Sequence, residues 1–182
     1  MALTSTIYVF TIDLSDVDRG VYEQLELRVA RHPSETAAFM LARVLAYCLE
    51  YTEGIELTAG GVSATDDPAV AVRDLTGRIT KWIDIGLPDA DRLHRASKLA
   101  GNVVVYTHRD VRQLLAQLEG AKIHRAGEIP IRAFDRTVIE EVAGRLDRRS
   151  SFALLISGSD LTLSTADGSW TIPLVDHRLT DN

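Results

Sequence analysis

The sequence predicts a single α/β domain spanning residues 1–182: a mixed sheet core flanked by helices, with antiparallel β extensions at its N- and C-terminal ends. Three observations carry this expectation. Between Ile79 and about Leu146 strand and helix patterns alternate, as right-handed parallel crossovers require. Ahead of that region two long runs of β-type sequence face each other across a turn. Behind it, three short strands follow one another with turn residues between them.

Taken in order, residues 4–14 are β-branched and aromatic and read as a strand, closed by the turn chemistry of Ser15-Asp16-Val17-Asp18-Arg19-Gly20. Val21 to Ala30 alternates apolar with polar residues and completes a long hairpin. His32-Pro33-Ser34-Glu35-Thr36 is expected to open a helix, with Pro33 in its first turn and Leu41, Val44, Leu45, Cys48 and Leu49 forming its apolar stripe as far as Glu50. Steps of three and four from Glu35 give Ala38, Ala42, Leu45 and Leu49, so Glu35 should head the buried face of that helix. The plain alternative is a first-turn acid complementing the helix dipole. Ile55 to Thr58 is a short strand, followed by Gly60-Gly61 and the acidic turn Asp66-Asp67-Pro68.

Ile79, Ile83 and Ile85 alternate with Thr80, Trp82 and Asp84 in a strand that ends at Gly86. Pro88-Asp89 opens a helix to about Ala100. Asn102 to Thr107 is nearly continuous in apolar residues, as a strand covered on both faces reads. Asp110 to Leu118 is a short amphipathic helix. Ile129 to Ala133 is a strand that Pro130 assigns to a sheet edge, and Asp135 begins a helix to about Leu146. Strands 79–85, 102–107 and 129–133 should be the parallel centre. The tail returns to antiparallel strands at 152–156, 160–164 and 169–172 and is expected to fray beyond Val175. Together the terminal strands should extend the sheet into a strongly curved or barrel-like surface.

Composition narrows the function classes. With a net charge of −6 and a pI near 5.3, the chain has the wrong sign for a general nucleic-acid binder, although a local basic groove is compatible with it. No apolar run is long enough to span a membrane, and the N-terminus lacks the basic region of a signal peptide. One cysteine, Cys48, excludes an intrachain disulfide, sits in an apolar helical stripe, and fits a reducing cytoplasm. Phosphate cradles of the Walker or Rossmann kind are absent, so no organic cofactor is expected. Histidines 32, 94, 108, 124 and 177 are too scattered for a zinc site, and Ser157-Gly158-Ser159 sits in a hairpin turn rather than a nucleophile elbow.

One residue stands out from this inventory. Asp84 lies near the end of a strand that is otherwise buried in pattern, where an unpaired carboxylate is costly. On the next helix Lys98, with His94 and Arg95, makes one face basic. Strand acid and helix lysine read either as a structural ion pair or as part of an active site.

Several stretches resemble the YaeQ family of small bacterial proteins: Ala2-Leu3-Thr4-Ser5-Thr6-Ile7-Tyr8, Arg31-His32-Pro33-Ser34-Glu35-Thr36, the turn through Asp67-Pro68, Trp82-Ile83-Asp84-Ile85-Gly86-Leu87-Pro88-Asp89, and Val105-Tyr106-Thr107. That family is similar in fold to the PD-(D/E)xK nucleases, which implies a restriction-endonuclease-like mixed sheet core. The resemblance implies Glu35 as the helix acid, Asp66 or Asp67 as the first strand acid and Asp84 as the second. Lys98 would replace the lysine expected two residues after Asp84, where Gly86 stands. Asp66, Asp67 and Asp84 would then hold Mg²⁺ or Mn²⁺, and Glu35, Asp67, Asp84 and Lys98 should converge in one cleft. Asp67 and Asp84 are each one methylene shorter than the family's usual glutamates. Two functions follow as expectations: a metal-dependent nuclease or nucleic-acid-processing factor, or a non-catalytic scaffold that binds a protein partner. Arg28, Arg31, Arg92 and Arg95 gathered beside the acids would favour the first, and an acidic rim the second.

Overall fold

The computed structural model describes residues 4–59 and 66–179. The Ala2-Leu3 start and the Gly60-Gly61 turn lie outside them. The elements are β1 (Thr6–Asp16), β2 (Val21–Arg31), α1 (Ala37–Leu49), β3 (Ile55–Leu57), β4 (Val70–Arg73), β5 (Ile79–Ile85), α2 (Ala90–Leu99), β6 (Asn102–Thr107), α3 (Val111–Leu118), β7 (Pro130–Phe134), α4 (Arg136–Ala143), β8 (Arg149–Ser157), β9 (Asp160–Thr165) and β10 (Gly168–Arg178). All ten strands form one mixed sheet in the order β2-β1-β8-β9-β10-β7-β6-β5-β4-β3.

The parallel centre forms where the alternating pattern placed it: β5, β6 and β7 pair in parallel, with Ile83 opposite Val104 and Val105 opposite Ile131. The N-terminal hairpin joins this sheet through β8, which runs parallel to β1 with Ile12 beside Phe152. The sheet curls into a nearly barrel-shaped surface around α1. Ten of the thirteen residues of α1 are buried, so it is an interior helix rather than a one-sided surface helix. Its Leu41 and Leu45 are enclosed on every side, and truncating either to alanine would cost about 2–5 kcal/mol. A second, smaller core lies on the other side of β5–β7. There Trp82, Val103, Val105 and Ile131 pack against Leu93 of α2 and Leu114 of α3.

Several boundaries differ from the sequence expectation, each for a local reason. The first helix begins at Ala37, because the Thr36 hydroxyl accepts a hydrogen bond from the Phe39 N–H at 3.1 Å and fixes the start there. Pro33 and Glu35 therefore lie in the turn before the helix, not in its first turn. β7 is not an edge strand. Pro130 is its first residue, where a missing N–H is tolerated, and β10 covers its other side. That pairing also orders β10 through Arg178, past the expected frayed end. β4 was not anticipated, since four residues between a turn and a loop carry too little alternation to announce a strand.

Among the described residues no helix is long and apolar enough to cross a membrane.

Candidate functional site

Strand alternation decides where the candidate acids go. Ile83 and Ile85 point into the core around α1, so Trp82 and Asp84 face the opposite side, toward α2. Asp84 is 1% exposed. Its partner is Arg92 in the first turn of α2, whose start is fixed by the Asp89 carboxylate accepting from the Arg92 N–H at 2.8 Å. The guanidinium meets Asp84 as a fork, Nε to Oδ2 at 2.9 Å and Nη2 to Oδ1 at 2.7 Å. The same Nη2 donates to the carbonyl of Asp67 at 2.7 Å, and the guanidinium lies over the Trp82 ring at 5.6 Å. Burial raises the Asp84 carboxyl above the ordinary aspartate range against the pull of Arg92.

Glu35 is also buried, but it belongs to the α1 side. Nη2 of Arg43 lies 3.0 Å from its Oε1 and donates to Oε2 at 3.2 Å; His32 N–H donates to Oε2 at 3.2 Å. Arg43 is 1% exposed and also donates from Nη2 to the Ala30 carbonyl at 2.9 Å, with Nη1 directed at the Thr58 carbonyl at 3.5 Å. It thereby ties the end of β2, at one edge of the sheet, to the segment after β3, at the other. Burial raises the Glu35 carboxyl and lowers the Arg43 guanidinium.

The expected four-residue cleft is therefore divided. Glu35 and Asp84 occupy separate ion pairs on different sides of β5. Asp67 joins the Asp84 pair through its backbone carbonyl, while the residue itself is exposed. Asp66 is exposed and paired with Arg95 at 3.3 Å. Lys98 does not reach the acids. It lies six residues beyond Arg92 on α2, about 9 Å along the axis, exposed beside a different hollow. The partner of Asp84 is thus Arg92, not Lys98.

Of the four arginines expected to mark a phosphate rim, Arg92 and Arg95 are bound to Asp84 and Asp66. Arg31 donates to the Glu35 carbonyl at 2.8 Å, and Arg28 is exposed on β2. Sequence reasoning missed Arg43 altogether. Its signal was present: an arginine between Ala42 and Val44, inside a run of buried helix positions, needs a buried partner.

Among the described residues no set of three histidine, cysteine, aspartate or glutamate side chains converges as a metal cradle. Both Asp84 oxygens already accept guanidinium N–H bonds, and Glu35 is compensated by Arg43. This donor set does not fit a divalent cation.

The fold and this pair of buried acid–arginine contacts define a small mixed-sheet α/β protein with a helix enclosed by its curved sheet. The chain belongs to the YaeQ family, whose model, described as "YaeQ protein", matches residues 1–174. It is 31% identical over 165 residues to the uncharacterized protein YaeQ of Escherichia coli K12, covering 90% of this chain and 91% of that one. The Salmonella typhi YaeQ protein is 30% identical, with 96% of each chain covered. Crystal structures of YaeQ proteins share the fold. That from Xanthomonas axonopodis pv. citri has a TM-score of 0.87 at 27% identity, covering 97% of this chain and 100% of that one. That from Pseudomonas syringae has 0.85 at 31%, covering 98% and 97%.

Proposed function

We propose that this protein is a non-catalytic scaffold, built on a restriction-endonuclease-like centre, that works by binding a protein partner. The parallel β5–β6–β7 core with α2 as a crossover supports that ancestry. The observation that carries the functional reading is the Arg92 fork. The guanidinium takes both oxygens of the acid that a nuclease would present to its metal, and also holds the Asp67 backbone.

A surface for the partner lies on the outer face of β2, β1, β8 and β9, which neither of the two cores covers. Tyr22, Ser15, Leu155 and Thr162 form one cross-strand row there. Tyr22 is 63% exposed and Leu155 43%, with Val17 also exposed beside them. Asp13 and Asp160 lie in the adjoining rows of the same face, and Asp18 lies in the turn after β1. An apolar strip with acidic flanks fits a protein that offers apolar side chains ringed by lysine or arginine.

The nuclease reading keeps one favourable observation: Asp84 and the Asp67-Pro68 turn meet at a single guanidinium. Mg²⁺ or Mn²⁺ held by Asp66, Asp67 and Asp84 would require Arg92 to leave Asp84. One pair of measurements separates the readings. The scaffold reading expects no heat on titration with Mg²⁺ or Mn²⁺, and no cleavage of single- or double-stranded DNA or RNA in their presence. It also expects a co-purified partner to be lost on Leu155→Asp but retained by Asp84→Asn. Saturable metal binding abolished by Asp84→Asn, with cleavage, would establish the nuclease instead.

A further inference from the structure

A hollow of about 920 Å³ lies away from both ion pairs, between α2, α3, the loop after α3 and the end of β10. We propose that it binds a small organic phosphate of nucleotide size, with a phosphate at a cationic rim and a flat apolar body on the floor.

The rim is built from exposed cations, most of which have no ion-pair partner among the described residues. The chain has three lysines, and two of them, Lys98 and Lys122, line this hollow. Arg178, at the end of β10, and Arg112, in the first turn of α3, line it too. All four are exposed. Arg112 has only a loose contact with Asp110, at 3.7 Å, and Lys98, Lys122 and Arg178 have no ion-pair partner among the described residues. Glu119 is the single carboxylate in the lining. In a chain of net charge −6, this concentration of like charge repels itself unless an anion lies among it.

His94 adds one fixed donor. His94 Nδ1 accepts from the His124 N–H at 3.2 Å, so in the neutral ring the proton sits on Nε2. That contact also anchors the loop after α3 onto α2, and holds Lys122 near the helix that carries Lys98.

The floor is apolar: Leu115, Leu118, Ile123 and Leu179 line it. A volume of about 920 Å³ falls in the range of small-molecule sites and accommodates one nucleotide-sized ligand. Cations at the mouth with apolar side chains beneath describe a ligand with one charged end and one flat, weakly polar end. An inorganic anion would use only half of this surface.

The test is calorimetric titration of the full-length protein at low ionic strength with AMP, ribose 5-phosphate and inorganic phosphate. AMP is expected to bind saturably at submillimolar concentration, and at least tenfold more tightly than inorganic phosphate, with ribose 5-phosphate between them. Lys98→Ala and Lys122→Ala should each weaken AMP binding about tenfold with an unchanged melting temperature, since both side chains are exposed. Arg149→Ala, at the start of β8 and outside the lining of the hollow, should leave binding as in the wild type. Added salt should weaken it. The proposal is overturned by absence of saturable AMP binding, by equal affinity for AMP and inorganic phosphate, or by lysine variants that bind as the wild type does.

Discussion

Among the buried acids that pair with arginine in the described residues, Glu35 with Arg43 and Asp84 with Arg92 are built for different work. The Glu35–Arg43 pair is sealed on both sides, and Arg43 also donates from Nη1 and Nη2 to backbone carbonyls from the two extremes of the sheet. The Asp84–Arg92 pair is sealed only on its acid side: the Arg92 side chain is 20% exposed, and its guanidinium rests on an indole at the surface of the second core. The first pair closes the fold. The second is a latch reachable from solvent, which is why a functional question attaches to Asp84 and not to Glu35. The difference follows from desolvation: a fully buried charge gains no water when its partner leaves, whereas a partly exposed arginine does.

Breaking the sealed pair gives the largest expected effect. Arg43→Met should destabilise by about 3–5 kcal/mol in chemical denaturation, because it leaves Glu35 charged and alone and releases the two sheet edges. Combining it with Glu35→Gln should recover a large part of that loss. If Arg43→Met is nearly neutral, the pair does not close the fold.

A pH measurement probes the same side of the sheet. His108 is buried after β6 with its ring edge-on to Phe39 of α1, and burial, reinforced by Arg109, pushes its pKa down to about 4. Between pH 4 and 6.5 the unfolded chain binds a proton that the native state refuses. Stability from this residue is therefore complete above about pH 6.5 and is lost as pH falls toward 4, a change on the order of 3 kcal/mol. His108→Gln should flatten that limb of the curve, and an unchanged slope would refute the assignment. Glu35 and Asp84 act in the opposite sense. Burial raises both, so their contribution is complete below the ordinary carboxylate range and is lost as pH rises through the raised values.

The latch should cost less to break. Asp84→Asn is expected to destabilise by about 1–3 kcal/mol, discounted because Arg92 regains water, with no response of wild type or variant to Mg²⁺ in thermal melts. A variant as stable as or more stable than the wild type, together with a metal-stabilised wild type, would mean that Asp84 is a metal ligand held under repulsion.

The smallest effects compare the helix starts that deliver the two arginines. Thr36→Ala on α1 and Asp89→Ala on α2 each remove one N-cap bond and should each cost about 1 kcal/mol. Only Asp89→Ala should make Arg92 more mobile, a difference that side-chain NMR of the arginine Nε would read.

By itself the sequence determined most of the elements, β4 excepted, and the faces of its longer strands. Period-2 alternation in 79–85 was enough to set Ile83 and Ile85 against Trp82 and Asp84. The unbroken apolar run of 102–107 was enough to demand cover on both faces, and the motifs around Glu35, Asp67 and Asp84 were enough to mark the family. Tertiary structure alone decided which charges meet. Asp84 had Arg92, Arg95 and Lys98 within reach on one helix, and only the docking angle of α2 brought the first of them to it. Glu35 and Arg43 lie eight residues apart, a spacing with no meaning until the curled sheet sealed both from water. Local patterns are written residue by residue in backbone geometry and hydrophobicity. Ion pairing depends on distances of a few ångströms between segments far apart in sequence, and these exist only once the sheet has closed around α1.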